Sequence, residues 1–145
     1  MKVKCSLAVT IACLLAIWMV PTMDTCRQSG TPAARVIEVL ADHDSRYKMA
    51  GQKQLVIALK AGEPVTLRIT AKKAKNVNRD GAIHGFTLLR AKDRSPVPDW
   101  DFELKPGVQE FSVTAPSEPG EYVVTCTVIC SQDHEGMNMK LVVLP

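Results

Sequence analysis

Residues 119–137 of this chain read PGEYVVTCTVICSQDHEGM. Pro119 and Gly120 mark a turn, and residues 121–126 are rich in β-branched side chains, which is typical of a strand. Two cysteines, a histidine and a methionine follow at the spacing Cys-x-x-x-Cys-x-x-x-His-x-x-Met. The pattern predicts a strand that leads into a loop of sulfur and imidazole ligands, and this loop leads into a last strand over 140–144.

Short runs of the same kind occur throughout the chain before this loop. Residues 65–70 and 110–114 alternate between apolar and polar side chains, so each is expected to bury one face of a sheet. The sequence predicts about seven strands, at residues 36–40, 55–59, 65–70, 84–89, 110–114, 121–126 and 140–144. No stretch has a sustained helical period. We therefore predict an all-β domain with the strand spacing of a sandwich or barrel, and a β-sandwich of this size presents loops for function at its ends.

The polar stretches between these runs are predicted to be loops. Residues 42–53 form one of them, and its His43 is expected to be solvated. A second loop is basic, and we interpret it as the solvated end of a hairpin rather than a docking patch for an acidic partner. Its cations are Lys72, Lys73, Lys75 and Arg79. Trp100 is predicted to be half-buried in the sandwich, and Met139 to begin the last strand and pack.

Residues 1–30 are interpreted as a targeting segment with a linker, and residues 31–145 as the folded domain. Lys2 and Lys4 precede an uncharged run over 6–20. This pattern fits a cleaved secretory signal, an uncleaved membrane anchor or a lipoprotein signal. Each of the three would place the domain in the periplasm or at the outer face of the bacterial cytoplasmic membrane.

The composition is that of one globular domain with a short extension. The chain has 145 residues, of which 46% are hydrophobic and 23% are charged, and this balance argues against a disordered chain. The net charge of +3 falls to +1 without the targeting segment. The domain therefore lacks the strong basic charge that nucleic-acid binding usually requires.

Four side chains of the loop can bind a metal: Cys126, Cys130, His134 and Met137. Two cysteines in an exported domain often form a disulfide, so a structural role is one alternative. Thiolate, imidazole and thioether together favour copper, because zinc sites seldom use a thioether and iron–sulfur clusters usually need four thiolates. A further ligand must come from elsewhere, and His84, at the start of a predicted strand, is the best-placed histidine.

The loop, the sequence IHGF at 83–86 and the sequence PGEY at 119–122 together resemble the CuA domain of cytochrome c oxidase subunit II. Nitrous oxide reductase carries the same module. The resemblance covers the chain from about Val36 to its end. It implies a cupredoxin fold, a Greek-key β-sandwich, around a binuclear, mixed-valence copper centre. The ligands that it implies are His84, Cys126, Val128, Cys130, His134 and Met137.

In this resemblance the two cysteines would each bridge both copper ions. His84 and Met137 would complete one ion, and His134 and the backbone carbonyl of Val128 would complete the other. Oxidase subunits usually carry a glutamate at the position of Val128, and a backbone ligand survives that change. The implied function is exported electron transfer, within an oxidase subunit II-like component or as a free-standing relay. The implied partners are a cytochrome c-like donor or a terminal oxidase or reductase, with membrane contact through the N-terminal segment.

Two other copper functions stay open at this point. A mononuclear blue-copper carrier would use Cys130 without Cys126, since ordinary blue-copper proteins have one cysteine in this loop. A periplasmic copper chaperone or sensor would use the same ligands to hold or pass on the metal. Catalysis by the chain alone is not expected, because the ligands saturate the metal and leave no position for a substrate.

Overall fold

Alternating buried and exposed side chains build nine β-strands in the part of the chain that the structure describes. The structure is a computed structural model, and it describes residues 34–52 and 54–145. The strands β1 to β9 are, in chain order, Arg35–Asp42, Arg46–Lys48, Val56–Lys60, Pro64–Ala71, His84–Arg90, Pro96–Leu104, Gly107–Thr114, Gly120–Thr125 and Asn138–Leu144. The predicted all-β architecture is confirmed, with two strands more than the seven that the sequence pattern predicted.

The strands form two mixed sheets. One has four strands in the order β2-β1-β4-β7, and the other has five in the order β3-β9-β8-β5-β6. Two pairs are parallel, β1 with β4 and β3 with β9, and the remaining pairs are antiparallel. β5 and β8 are neighbours in the five-stranded sheet, and this pairing brings the start of β5 beside the loop that follows β8.

The core lies between the two sheets. In β4, Val65, Leu67 and Ile69 are buried while the residues between them are partly exposed, as expected for a strand with one face in the core. In β9, Leu141 and Val143 are buried in the same alternating way. Each such side chain stabilises the fold by about 1.5–3 kcal/mol relative to an exposed one.

The predicted polar loop over 42–53 is wrong where the chain forms β2. Ala41 and Tyr47 are paired in register, and Tyr47 is 1% exposed. A strand of three residues is too short for a period to be visible in sequence, and its exposed neighbours Arg46 and Lys48 make it look like a loop. His43, at the turn before it, has a side chain that is 71% exposed, which agrees with the prediction that it is solvated.

The other unpredicted strand is β6, Pro96–Leu104. Its buried residues Val97, Trp100 and Leu104 do not alternate, because the register with β5 shifts between Thr87 and Leu89. Trp100 is fully buried rather than half-buried, and its indole N–H donates to the carbonyl of Thr114 at 2.9 Å. Because its register is irregular, this strand lacks the alternating pattern by which strands are predicted from sequence.

The predicted targeting segment, residues 1–30, lies outside the described residues. The described residues, 34–52 and 54–145, belong to one structural unit. Within the ranges that the structure describes, no helix has the length and apolar character needed to cross a bilayer.

Candidate metal centre

The loop between β8 and β9 carries the cysteines, and backbone hydrogen bonds fix its shape. The amide of Cys126 donates to the carbonyl of Met137 at 3.2 Å, which closes the base of the loop. The amide of Cys130 donates to the carbonyl of Val128 at 2.7 Å. The second half of the loop contains a short 3-10 helix, His134–Gly136. The two ends of the loop are thus tied together directly beside the two antiparallel strands.

The two thiols meet in the interior of this loop. Cys126 and Cys130 are 5% and 0% exposed, and their sulfur atoms lie 3.7 Å apart. This distance is far from the roughly 2.05 Å of a disulfide bond, and both cysteines are free. Burial raises the pKa of the Cys126 thiol to about 11, so this thiol keeps its proton at neutral pH until a metal displaces it.

His84 completes the group from the start of β5. Its Nε2 lies 3.0 Å from the carbonyl oxygen of Lys72, which can only accept, so Nε2 carries the hydrogen and Nδ1 has a free lone pair. Nδ1 is the one buried side-chain nitrogen or oxygen without a hydrogen-bond partner among the described residues. Burial lowers the pKa of His84, which favours the neutral, ligating form.

The free nitrogen and the two sulfurs form a compact donor set. One ligand atom each of His84, Cys126 and Cys130 lies within 4.8 Å of the others, and all three residues are buried. Buried polar atoms normally find a hydrogen-bond partner, and because Nε2 is occupied by the Lys72 carbonyl, the unpartnered Nδ1 is the ring nitrogen left to bind a metal. Two sulfurs and an imidazole nitrogen suit copper by the softness of the donors. The residues present therefore fit a copper ion.

Glycine at position 85 allows β5 to approach the cysteine loop. A Cβ atom there would lie 2.6 Å from Oγ1 of Thr127 and 2.7 Å from its backbone nitrogen. The amide of Gly85 donates to the sulfur of Cys126 at 3.2 Å. The hydroxyl of the buried Tyr47 donates to the Gly85 carbonyl on the other side. The neighbour of His84 is thus held between the loop and β2.

Met137 and Val128 lie beside the same group. Met137 is fully buried, and its carbonyl binds the amide of Cys126. The carbonyl of Val128 lies 3.1 Å from the sulfur of Cys126. Met139, by contrast, lies within β9 and is buried in the hydrophobic core, which agrees with the prediction that it packs.

His134 is the predicted ligand that the structure does not bring into the compact donor set. It begins the 3-10 helix and is partly buried. Its Nδ1 lies 2.9 Å from the carbonyl oxygen of Ser131, so Nδ1 carries a hydrogen and is occupied. His134 and the sulfurs share the loop, but its ring is turned toward the backbone of that loop.

Comparison with known proteins assigns the fold. No family model matches the sequence, and the comparison with curated proteins gave no match. Among solved structures, auracyanin A, a "blue" copper protein from Chloroflexus aurantiacus, has a TM-score of 0.53 at 20% identity over 75% of this chain and 98% of that chain. Auracyanin from Roseiflexus castenholzii has a TM-score of 0.52 at 18% identity over 78% and 99%. Rusticyanin from Thiobacillus ferrooxidans has a TM-score of 0.51 at 16% identity over 77% and 79%.

The fold is cupredoxin-like.

Two segments that the sequence did not mark as functional lie beside the donor set. The first is the basic loop over residues 72–79, here called the basic segment, which contributes backbone groups. The carbonyl of Lys72 accepts a hydrogen bond from His84, and the amide of Asn76 donates to the carbonyl of Cys130 at 3.0 Å. Its lysines are exposed, as predicted, but the prediction of a hairpin end is wrong, because the segment connects β4 and β5, which lie in different sheets. The segment is also part of the frame of the site.

The second missed segment is the turn between β1 and β2. Ser45 is 2% exposed, and its hydroxyl oxygen lies 3.7 Å from the sulfur of Cys130. In this polar stretch, the one sequence feature that indicates a packed element is Tyr47, because a large aromatic side chain is not expected in a solvated loop. Contacts of this kind join residues about 85 positions apart and leave no local pattern.

Proposed function

We propose that this protein transfers electrons through copper held by the cysteine loop and His84. The observation that carries the proposal is a buried group of His84 and two free thiols, with one ligand atom of each within 4.8 Å of the others and Nδ1 of His84 left without a partner. Copper, when bound, supplies one-electron redox chemistry, and the donor set suits both of its common oxidation states. The thioether of the buried Met137 supplies a further soft ligand.

The protein's own residues fix the positions of the ligands and keep water out of the site. The Nε2–H of His84 donates to Lys72, which fixes the ring and its tautomer. The amide of Gly85 donates to the sulfur of Cys126 and supports its negative charge when the thiol is deprotonated. Ligands fixed by a β-scaffold move little when the charge of the centre changes, and this keeps electron transfer fast.

For the number of metal ions, we propose a binuclear centre. Both sulfurs converge, so both can bridge two ions, and the carbonyl of Val128 lies beside them. In this proposal His84 and Met137 would hold one copper, and Val128 and His134 would hold the other. To do so, His134 would have to give up its hydrogen bond to the carbonyl of Ser131.

The structural neighbours favour a second candidate, a mononuclear blue-copper carrier. Auracyanin A, which is described as a "blue" copper protein, shares the fold over most of its length. In this candidate Cys130 is the single thiolate ligand, and His84, His134 and Met137 complete the site. Cys126 is then a buried thiol that packs and accepts the hydrogen bond from Gly85.

Access for a redox partner is proposed at the cysteine loop. Ile129 lies between the buried residues Val128 and Cys130 and is 64% exposed. An exposed apolar side chain next to buried ligands provides a short route from the site to a docked electron donor or acceptor. We propose that this partner is another redox protein and that the domain works outside the cytoplasmic membrane.

The function is tested by loading the full-length, metal-free protein with copper. We expect tight copper binding in preference to zinc, a sulfur-to-copper charge-transfer band and reversible one-electron reduction. His84→Gln should weaken copper binding at least tenfold, because it removes the free nitrogen. His43→Gln, which changes an exposed histidine, should leave binding unchanged. Preferential binding of zinc, or a colourless protein, would refute the proposal.

A further inference from the structure

We propose that Ser131 and Ser45 form a hydroxyl relay that ends on the sulfur of Cys130 and raises the reduction potential of the copper centre. Ser45 is then a positioning residue, because it acts through the ligand and not on the metal. The inference rests on the proposed function, since it concerns the potential of that centre. It holds for one copper or two, because Cys130 is a ligand in both cases.

The relay is visible as three contacts in a row. The amide of Asp133 donates to the hydroxyl of Ser131 at 3.1 Å. The hydroxyl oxygens of Ser131 and Ser45 lie 2.7 Å apart, and that of Ser45 lies 3.7 Å from the sulfur of Cys130. Ser45 and Ser131 are 2% and 4% exposed, so water does not compete for these groups.

Once Cys130 is a thiolate, the hydrogens available on the two hydroxyls determine which group donates and which accepts along the relay. A hydroxyl has one hydrogen to donate and two lone pairs to accept with. Ser131 already accepts from the Asp133 amide, and its own hydrogen is available for Ser45. The hydrogen of Ser45 is then available for the thiolate, which can only accept. In the metal-free protein the thiol of Cys130 is instead the donor to Ser45, and the two hydroxyls rotate.

The backbone conformation of Ser45 indicates that the contribution of serine at this position is its hydroxyl group. Its φ of 55° lies in the left-handed region, where glycine and asparagine are the usual residues. The turn itself is held by the amide of Ser45, which donates to the carbonyl of Asp42 at 3.1 Å. Glycine would satisfy this backbone without strain, so the hydroxyl is the group that the site gains from serine.

A hydrogen bond to the ligand sulfur stabilises its negative charge. The sulfur then gives less electron density to the metal, which disfavours the oxidised state more than the reduced one. The upstream bond from the Asp133 amide polarises the Ser131 hydroxyl, and cooperative chains of this kind strengthen the last bond. Removing the Ser45 hydroxyl should therefore lower the reduction potential.

The test compares copper-loaded, full-length Ser45→Gly and Ser131→Ala with the parent protein. Glycine suits the left-handed backbone, so Ser45→Gly removes the hydroxyl without adding strain. We expect normal copper content, a several-fold shift of the redox equilibrium toward the oxidised form and a changed copper–sulfur stretching frequency. A tenfold shift corresponds to about 59 mV for one electron. Ser131→Ala should shift the equilibrium in the same direction by less.

The matched control is Ser95→Gly, which removes a turn serine hydrogen-bonded to Asp93 and should leave the potential unchanged. If Ser45→Gly loses copper, Ser131→Ala decides, because Ser131 does not contact the sulfur. Normal copper content with an unchanged potential in either tested variant would overturn the relay and leave the proposed function intact. Failure of the parent protein to bind copper would instead refute the proposed function.

Discussion

At the scale of single residues, the site depends on a few positions that admit no substitute. Only glycine at position 85 lets β5 touch the cysteine loop, because a Cβ atom there would lie 2.7 Å from the backbone nitrogen of Thr127. Only a histidine hydrogen-bonded through Nε2 to the Lys72 carbonyl leaves its Nδ1 free. These positions fix where the nitrogen and sulfur donors lie before a metal arrives.

Gly85→Ala should loosen the site. The added methyl group meets backbone that cannot move aside, so we expect a loss of about 1–3 kcal/mol in the free energy of unfolding and weaker copper binding. Gly136→Ala is the matched control, because the nearest atoms there are the movable end of the Arg46 side chain. Urea denaturation and copper titration measure both effects. Equal stability of Gly85→Ala and the parent would show that the close approach is not required.

The two neighbouring methionines should behave differently. Met137→Leu should leave a coloured copper protein with a shifted reduction potential, because a thioether is a weak ligand that tunes the metal. Met139→Leu should change almost nothing, since Met139 packs in the core and leucine has a similar volume. Absorption spectra and potentials of both variants check this. A spectral change in Met139→Leu but not in Met137→Leu would show that the methionine ligand is Met139 and not Met137.

Much of the residue-level site could be predicted because its chemistry is local in sequence. Cys126, Cys130 and Met137 lie on one loop, and their spacing alone marked them as ligands. The orientation of His134 could not be predicted, since it depends on one hydrogen bond to the Ser131 carbonyl. Ser45 could not be predicted either, because its contact with Cys130 arises only when two sheets pack.

At the scale of elements, the β1–β2 hairpin covers the donor set. It brings Ser45 to the sulfur of Cys130 and Tyr47 to the carbonyl of Gly85. Asp42, at the end of β1, joins this hairpin to the basic segment through ion pairs with Lys48 at 2.7 Å and Lys72 at 3.5 Å. Sequence periods predicted seven of the nine described strands, but they missed β6, whose register is irregular, and β2, which is three residues long and stabilised by these contacts.

Asp42 should make the hairpin sensitive to acid. Hydrogen bonds from Lys48 and then His43 hold the pKa of this carboxyl well below its usual range. A carboxyl with a lowered folded pKa stabilises the fold above about pH 4, and this contribution is lost as the pH falls toward the folded value. Asp42→Asn should therefore lower the free energy of unfolding at pH 7 by on the order of 1 kcal/mol.

The measurement is urea denaturation of Asp42→Asn and the parent from pH 7 down to pH 3. The difference between them should begin to shrink below about pH 4, as the carboxyl of the unfolded parent becomes protonated while that of the folded protein stays ionised. Asp44→Asn serves as the control, because Asp44 is the more exposed partner of Lys48 and should matter less. A difference that stays constant with pH would contradict the role given to the ionised carboxylate.

At the scale of the whole molecule, the two sheets form the frame and one end of the sandwich carries the chemistry. The described core consists of residues between Ile37 and Val143. The loop after β8 and the start of β5 supply the donor set. The basic segment and the β1–β2 turn supply hydrogen-bonding groups around it. Folding the sandwich therefore assembles the site.

Residues 31–145, expressed without the N-terminal segment, should fold cooperatively and bind copper like the full-length protein. The reason is that every described core residue and every proposed ligand lies within this range. Thermal unfolding with one transition and an unchanged copper content would agree with this prediction. Loss of cooperative unfolding in the shortened protein would show that the N-terminal residues are needed for the fold.

Cys126→Ser tests most directly whether both cysteines hold the metal. At neutral pH a serine hydroxyl stays protonated and cannot replace a thiolate. We predict that the parent protein binds two copper ions per chain, with an electron paramagnetic resonance signal shared across two copper nuclei. Cys126→Ser should lose one ion or hold it weakly, and its signal should become that of one localised Cu(II). The same copper content and an unchanged spectrum in Cys126→Ser would contradict the binuclear centre and favour the mononuclear carrier.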